Sequence, residues 1–254
     1  MPFLNLDDVH LHYVDAGQGT PVTLLHGFTQ TANSWKELAG KLPAGYRWLA
    51  PDIRGHGRTQ VRPGEPYTMD ACTADVLRLW DSLGVERSHL VGYSMGGRLA
   101  LHLAAQHPER LLSLATIGAH AGLEEETREG RVAGDEELAA RIEKEGMDPF
   151  VTYWSALPLF EGLDRRGPAF QAGLRADRMA NRPAGLAASL RGMGAGAMEP
   201  VWSRLAGVSC PALFIAGALD HGYAAQARRL AAAVPGSRYE LVARAGHAAH
   251  LERP

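Results

Sequence analysis

The chain has 254 residues, 46% of them hydrophobic, which is enough to bury a large core in one or two domains. Its 26 basic and 28 acidic residues leave a net charge of −2, so the basic footprint of a nucleic-acid-binding protein is missing. An apolar run of about 18 residues and a secretory signal are also missing from the sequence. Cys72 and Cys210 have neither metal-binding nor redox spacing. We therefore expect a cytoplasmic protein with free buried thiols and no membrane or nucleic-acid partner.

Short apolar runs rich in β-formers alternate with helical patterns along much of the chain. Strands that alternate with helices indicate a mostly parallel sheet with helices on both faces, that is, an α/β fold. The first two strands are joined by the turn "DAGQGT" and are expected to form an antiparallel start. Helices are predicted at 68–84 and 96–110. The predicted strands are 11–16, 22–27, 47–52, 89–94, 111–118, 212–217 and 238–243.

Residues 119–206 interrupt this alternation. They contain no convincing strand, and Gly and Pro divide them into helical pieces such as 124–131 and 135–146. An all-helical insertion in an α/β sheet is most simply a lid over the ends of the strands. The sequence therefore predicts a core made of 1–118 and 207–254 and a helical lid at 119–206.

The stretch "VGYSMGGRLA" has the G-x-S-x-G pattern, with Ser94 between Gly92 and Gly96. It follows a predicted strand and begins a predicted helix, which is the context that a nucleophile elbow requires. The flanking glycines permit a strained backbone that exposes the serine hydroxyl above the sheet. Ser94 is therefore predicted to be the reactive serine.

A reactive serine needs a base, and the base needs an acid to orient it. Asp220 comes directly after a predicted strand, and His247 follows the last one, so the order Ser…Asp…His typical of this fold is present. His250 is interpreted as a packing or hydrogen-bonding residue, and His221 as a surface neighbour. The triad prediction is Ser94, Asp220 and His247.

Negative charge that develops during the reaction needs hydrogen-bond donors. The backbone N–H groups of Met95, after the serine, and of Phe28, in the early turn "LLHGFTQ", are the candidates for an oxyanion hole. His26, in the same turn, is interpreted as structural.

Arg98 lies four residues after Ser94, and residues i and i+4 share one face of a helix. Only three of the 26 basic residues are lysine, so an arginine carries information here only through its position. A guanidinium near a pocket binds carboxylates, and burying it is costly unless an anion accompanies it. The alternative is a structural salt bridge with the lid or with a nearby acidic residue.

The stretches "LLHGF", "DIRGHGRT", "GYSMGG", "GALD" and "AGHAAHLERP" resemble the α/β-hydrolase family across essentially the whole chain. With "YWSALPLFEGL" and the arginines of 119–206, they resemble the 2-succinyl-6-hydroxy-2,4-cyclohexadiene-1-carboxylate synthase family of menaquinone biosynthesis. This resemblance implies a lyase that expels pyruvate from a small carboxylated substrate, without cofactor or metal. It further implies substrate contacts from Arg98, Arg128 (with Arg131 close enough to replace it), Arg178 in preference to Arg175, Trp154 and Tyr93.

Two enzyme classes stay open at this point. One is the pyruvate-eliminating lyase, and the other is a serine hydrolase (a carboxylesterase or C–C bond hydrolase) that acts on a small carboxylated substrate through an acyl-enzyme. The fold motifs say little about substrate. In either case we expect a monomer or a weak dimer.

Overall fold

A computed structural model describes residues 2–254, which form a nine-stranded sheet with helices on both faces. The spatial order is β1-β2-β4-β3-β6-β7-β8-β9, and the short β5 pairs with β2. From β4 to β9 along this order all neighbours are parallel. The strands, numbered β1 to β9, are Phe3–Asn5, Val9–Gly17, Thr20–Leu25, Tyr46–Pro51, Gln60–Val61, Ser88–Tyr93, Leu111–Ile117, Ala212–Gly217 and Arg238–Val242.

The antiparallel start of the sheet differs from the expected hairpin. β2 is antiparallel to the rest, but its partners are β1, β4 and β5 rather than β3. The chain returns after β3 and inserts β4 between the two, so the tight turn at 18–19 connects strands that do not pair. Turn residues indicate that the chain reverses direction. They do not indicate which strand pairs with β2 in the sheet.

The helices cover both faces because strand side chains alternate in direction. Leu90 of β6 packs in a cluster with the second and third helices, whereas Val91 packs in a second cluster with the first and last ones. No helix within residues 2–254 is long and apolar enough to cross a bilayer. The helices, numbered α1 to α9, are Lys36–Ala39, Met69–Ser82, Met95–Gln106, Glu125–Glu145, Met147–Ser155, Pro168–Met179, Pro183–Met193, His221–Ala233 and Ala249–Glu252.

Four helices, α4 to α7, lie between β7 and β8. The two pieces predicted at 124–131 and 135–146 form one helix, α4, which continues through Gly130 and Gly134. Each glycine costs about 1 kcal/mol in a helix interior. That cost is offset where α4 packs along α7 and buries Ala139 and Ile142. Tertiary packing therefore overrides the local helix-breaking signal.

Candidate active site

Ser94 occupies a strained turn between β6 and α3. Its φ of 49° and ψ of −109° lie outside the usual regions for a non-glycine residue. A Cβ on Gly92 would lie 2.2 Å from the Gly96 carbonyl oxygen, and one on Gly96 would lie 2.2 Å from the Leu25 carbonyl oxygen. Both positions therefore require glycine, and the close approach that they permit holds the serine hydroxyl at the end of the strand.

The three residues predicted as a triad lie in hydrogen-bond contact. Ser94 Oγ is 3.0 Å from His247 Nε2, and His247 Nδ1 is 2.9 Å from Asp220 Oδ2. Asp220 also caps α8, because its Oδ1 accepts a hydrogen bond of 3.2 Å from the Tyr223 N–H. The carboxylate is thus held from two sides. It selects the imidazole tautomer that carries its proton on Nδ1 and leaves Nε2 free to accept the serine proton.

Two candidate backbone donors belong to residues that line the cavity of the serine. Phe28 and Met95 line the same cavity as Ser94, and neither N–H has a backbone or side-chain acceptor within residues 2–254. Met95 is the first residue of α3, whose N-terminus carries a partial positive charge. The preceding turn is fixed by the Gly27 N–H, which donates to Gln30 Oε1 at 3.0 Å. Unused N–H groups of this kind suit an oxyanion.

Arg98 lines this cavity as a buried cation. Its Nη1 donates to the Met193 carbonyl oxygen at 2.9 Å, and only 9% of the residue is exposed. Burial lowers the pKa of the guanidinium to about 10, so the group is still charged at neutral pH. Among residues 2–254 no carboxylate forms a direct salt bridge with Arg98, contrary to the structural alternative; Asp135, whose salt bridge is with Arg131, acts on Arg98 only at longer range. A buried guanidinium without a counter-ion is ready for an anionic ligand.

Arg178 is a second buried cation in the cavity. Its Nη1 donates to Ser155 Oγ at 2.5 Å, its guanidinium lies 4.8 Å from the centre of the Phe160 ring, and its Nε has no partner within residues 2–254. Burial lowers its pKa to about 10. Arg175, the alternative in the same helix, lies at the surface and pairs with Asp148 at 2.5 Å. The geometry favours Arg178.

Arg128 does not reach the cavity, contrary to expectation. Its guanidinium instead binds Glu199 Oε1 at 2.8 Å and the Gly196 carbonyl oxygen at 3.3 Å. Arg131 lines the cavity instead, with its Nε 2.9 Å from Asp135 Oδ1. The two arginines are three residues apart, so their side chains leave the helix at angles about 60° apart. Arg131 replaces Arg128 as the candidate.

The predicted aromatic residues line the cavity that contains the serine. Trp154 packs edge-on to Phe28 with 5.3 Å between ring centres, and its Nε1 has no partner within residues 2–254. Tyr93 lies against the imidazole of His247 at 5.4 Å, and burial raises the pKa of its phenol. These rings give the cavity apolar walls between its cations.

Tyr223 is a lining residue that the sequence reasoning missed. It lies 4.5 Å from the His247 ring centre, in the first turn of α8. The signal was its position three residues after Asp220, which places both residues on one helical face.

Two further histidines near the triad, His26 and His250, have contacts of a structural kind. His26 Nε2 accepts a hydrogen bond from the Ile53 N–H at 3.0 Å, as its structural interpretation requires. His250 packs between Trp35 and Tyr93, and neither ring nitrogen has a partner within residues 2–254. Burial lowers the pKa of His250 to about 3. Of its two predicted roles, packing is the one that the contacts support.

Comparison with known proteins agrees with this architecture. A family model described as alpha/beta hydrolase fold matches residues 20–254. A Bacillus subtilis (strain 168) protein assigned as a 2-succinyl-6-hydroxy-2,4-cyclohexadiene-1-carboxylate synthase is 36% identical over 253 residues, which cover 98% of this chain and 92% of that protein.

Two solved structures share the fold over nearly the whole chain. MenH from S. aureus has a TM-score of 0.88 and 28% identity, and the match covers 98% of this chain and 94% of that one. A thermophilic esterase from Thermogutta terrifontis, with malate bound, has a TM-score of 0.86 and 28% identity, and covers 100% and 94%. The chain thus belongs to the alpha/beta hydrolase fold family and is related along its length to the 2-succinyl-6-hydroxy-2,4-cyclohexadiene-1-carboxylate synthases.

Proposed function

We propose that this protein is a carbon–oxygen lyase of menaquinone biosynthesis. It eliminates pyruvate from 2-succinyl-5-enolpyruvyl-6-hydroxy-3-cyclohexene-1-carboxylate to give 2-succinyl-6-hydroxy-2,4-cyclohexadiene-1-carboxylate, the product named for its Bacillus subtilis relative. The observation that carries the proposal is the set of three cations around one serine: Arg98, Arg131 and Arg178 line the cavity that contains Ser94. The substrate bears three carboxylates, on the ring, the succinyl arm and the enolpyruvyl ether, which suit these cations.

The reaction begins with proton transfer. His247, oriented by Asp220, accepts the proton of Ser94 while the serine oxygen removes a proton from the ring carbon that bears the succinyl group. The electron pair of that C–H bond moves into the ring and the existing double bond shifts. The ring C–O bond to the enolpyruvyl group then breaks. His247 returns its proton to the departing enolate, which becomes pyruvate.

Charge stabilisation comes from the backbone. During proton removal, negative charge spreads to the succinyl carbonyl oxygen, where the N–H groups of Phe28 and Met95 donate to it. These donors have no acceptor within residues 2–254, so they need not break an existing bond to act. Every step in this scheme uses side chains and backbone of this chain.

The lid assignment is part of the proposal. Residues 119–206 form the lid and 1–118 with 207–254 the core, because α4, α5 and α6 contribute Arg131, Trp154 and Arg178 to the cavity above Ser94. The core supplies the reacting groups and Arg98, and the lid supplies the remaining cations.

A serine hydrolase is the second candidate, because its acyl-enzyme mechanism uses the same contact between Ser94 and His247. One of the structurally similar proteins is an esterase with malate bound. The two candidates differ in what Ser94 does, since a hydrolase needs it as a nucleophile and the lyase needs it as a base.

The test of the proposal is the variant Arg98→Met, assayed with the cyclohexene precursor by pyruvate release. Truncating one partner of a buried charge pair costs about 2–5 kcal/mol, so kcat/KM should fall roughly 30- to 5,000-fold. Hydrolysis of an uncharged p-nitrophenyl ester, if present, should change little. Arg175→Met is the matched control, because that arginine is exposed and pairs with Asp148. Unchanged turnover of the precursor by Arg98→Met would contradict the proposal.

A further inference from the structure

We infer that Glu252 is a positioning residue for His247 and that it links the lid segment 158–166 to this histidine, an inference that rests on the proposed role of the triad. Neither the predicted triad nor the comparisons assign a role to Glu252. It is the last residue of α9 and lies in the stretch "HLERP".

Glu252 binds the chain on both sides of His247. Its side-chain Oε2 accepts a hydrogen bond of 2.8 Å from the N–H of Gly246, the residue before the histidine. Its own N–H donates at 2.9 Å to the carbonyl oxygen of Ala248, the residue after it. The second bond is the ordinary helical bond of α9, so the contribution specific to Glu252 is the charge-assisted bond by which its side chain ties Gly246 to α9.

The carboxylate is an unusual group to bury at this position. Only 7% of Glu252 is exposed, and its second oxygen, Oε1, has no partner within residues 2–254. Burying a carboxylate with few hydrogen bonds costs free energy, and an apolar side chain would avoid that cost. What Glu252 supplies, and an apolar residue would not, is the acceptor for Gly246.

The lid touches the same carboxylate. A Cβ on Gly162 would lie 1.9 Å from Glu252 Oε2, so the lid segment passes directly against the oxygen that binds Gly246. Arg166, at the end of the segment, donates to the Leu251 carbonyl oxygen. Phe160, in the same segment, lines the cavity. The Glu252 side chain thus lies between this segment and the backbone next to His247.

The geometry matters because His247 must contact Ser94 and Asp220 at 3.0 and 2.9 Å at once. A misplacement of about 1 Å in a catalytic group can cost roughly 100-fold in rate. Loss of the Gly246 contact frees the backbone next to the imidazole. The effect should therefore appear in the reactivity of Ser94, which depends on His247 as its base.

The experiment measures the rate at which an uncharged p-nitrophenyl phosphonate ester modifies Ser94 in the full chain. Glu252→Ala should react at least about tenfold more slowly than wild type, whereas Glu252→Gln, which keeps an acceptor oxygen, should stay within about threefold. Gly162→Ala should also react slowly, because its methyl group displaces the carboxylate. Glu161→Ala, a change at the exposed neighbouring residue, is the control and should react as wild type.

Wild-type reactivity in folded Glu252→Ala would overturn the inference, and so would a Gln variant as slow as Ala. If Glu252→Ala does not fold, the reaction rates of Gly162→Ala and Glu252→Gln decide: a slow Gly162→Ala with a near-wild-type Glu252→Gln supports the inference, and any other result overturns it. The phosphonate carries no carboxylate and releases no pyruvate. The positioning role of Glu252 can therefore hold even if wild type does not release pyruvate from the precursor. A failure of this inference can thus be told apart from a failure of the lyase proposal.

Discussion

Buried arginines in this molecule differ in whether they have acidic partners. Arg54 is fully buried and binds Asp75 and Asp8, so its charge is compensated within the fold. Arg98 and Arg178 are almost as buried, and within residues 2–254 their hydrogen-bond acceptors are a carbonyl and a hydroxyl rather than carboxylates. An acidic partner therefore distinguishes a structural arginine from one that binds a ligand. Burying an unpaired charge destabilises the fold, because the charge loses its hydration.

The first prediction concerns stability. Arg98→Met should leave the free energy of unfolding unchanged or raise it, because it removes an unpaired buried charge. Arg54→Met should lower it by about 3–5 kcal/mol, since Asp75 and Asp8 lose their partner. Chemical denaturation of both variants checks this. A loss of more than about 1 kcal/mol in Arg98→Met would show that the guanidinium serves the fold.

The second prediction separates the two arginines of α4. Arg131→Met should lower kcat/KM for the precursor, and Arg128→Met should not, because only Arg131 lines the cavity. The side chain of Arg131 is 52% exposed, so the loss should be modest, about two- to fivefold. Steady-state pyruvate release checks both variants. A larger loss in Arg128→Met than in Arg131→Met would reverse the assignment.

At the scale of single elements, the parts predictable from sequence were those with strict local chemistry. The elbow at Ser94 was one, since its two glycines and its strand–helix context leave few other folds. The continuity of α4 and the insertion of β4 beside β2 were not predictable, because both depend on contacts between distant segments. The choice of Arg128 over Arg131 was wrong for a related reason. It required knowing which face of α4 packs against the protein, and few of the residues of α4 are buried.

The third prediction follows from α4. Gly130→Ala and Gly134→Ala should each stabilise the protein by about 0.5–1 kcal/mol, because a Cβ there meets nothing within 4 Å. Gly192→Ala on α7 is the contrasting variant, since its Cβ would lie 2.5 Å from the Tyr67 carbonyl oxygen, and it should destabilise. Thermal unfolding measures all three. Destabilisation by the α4 variants would mean that this helix is not continuous.

For the molecule as a whole, buried histidines make the stability depend on pH in mild acid. Burial lowers the pKa of His56, His120 and His250 to about 3 in each case. The unfolded chain titrates these groups near pH 6.5. Between these pH values the unfolded state binds more protons, so the free energy of unfolding falls as the pH falls below about 6.5.

The fourth prediction uses this linkage. Each such histidine contributes a slope of up to about 1.4 kcal/mol per pH unit, so stability should drop steeply between pH 6 and pH 5. His250→Phe should reduce that slope by the contribution of one histidine. The free energy of unfolding at pH 7.5 should change little, because the ring nitrogens of His250 have no partner within residues 2–254. Guanidinium unfolding across this range measures the slope. An identical slope in wild type and variant would contradict the assignment of a neutral His250.

The measurement that tests the account most directly is pyruvate release from 2-succinyl-5-enolpyruvyl-6-hydroxy-3-cyclohexene-1-carboxylate, followed with lactate dehydrogenase and NADH. Wild type should release one pyruvate per precursor, and Ser94→Ala should be slower by about 100- to 10,000-fold, because the proton acceptor is removed. A wild-type protein that releases no pyruvate but hydrolyses a p-nitrophenyl ester would contradict the lyase assignment. So would a Ser94→Ala variant that turns the precursor over at the wild-type rate.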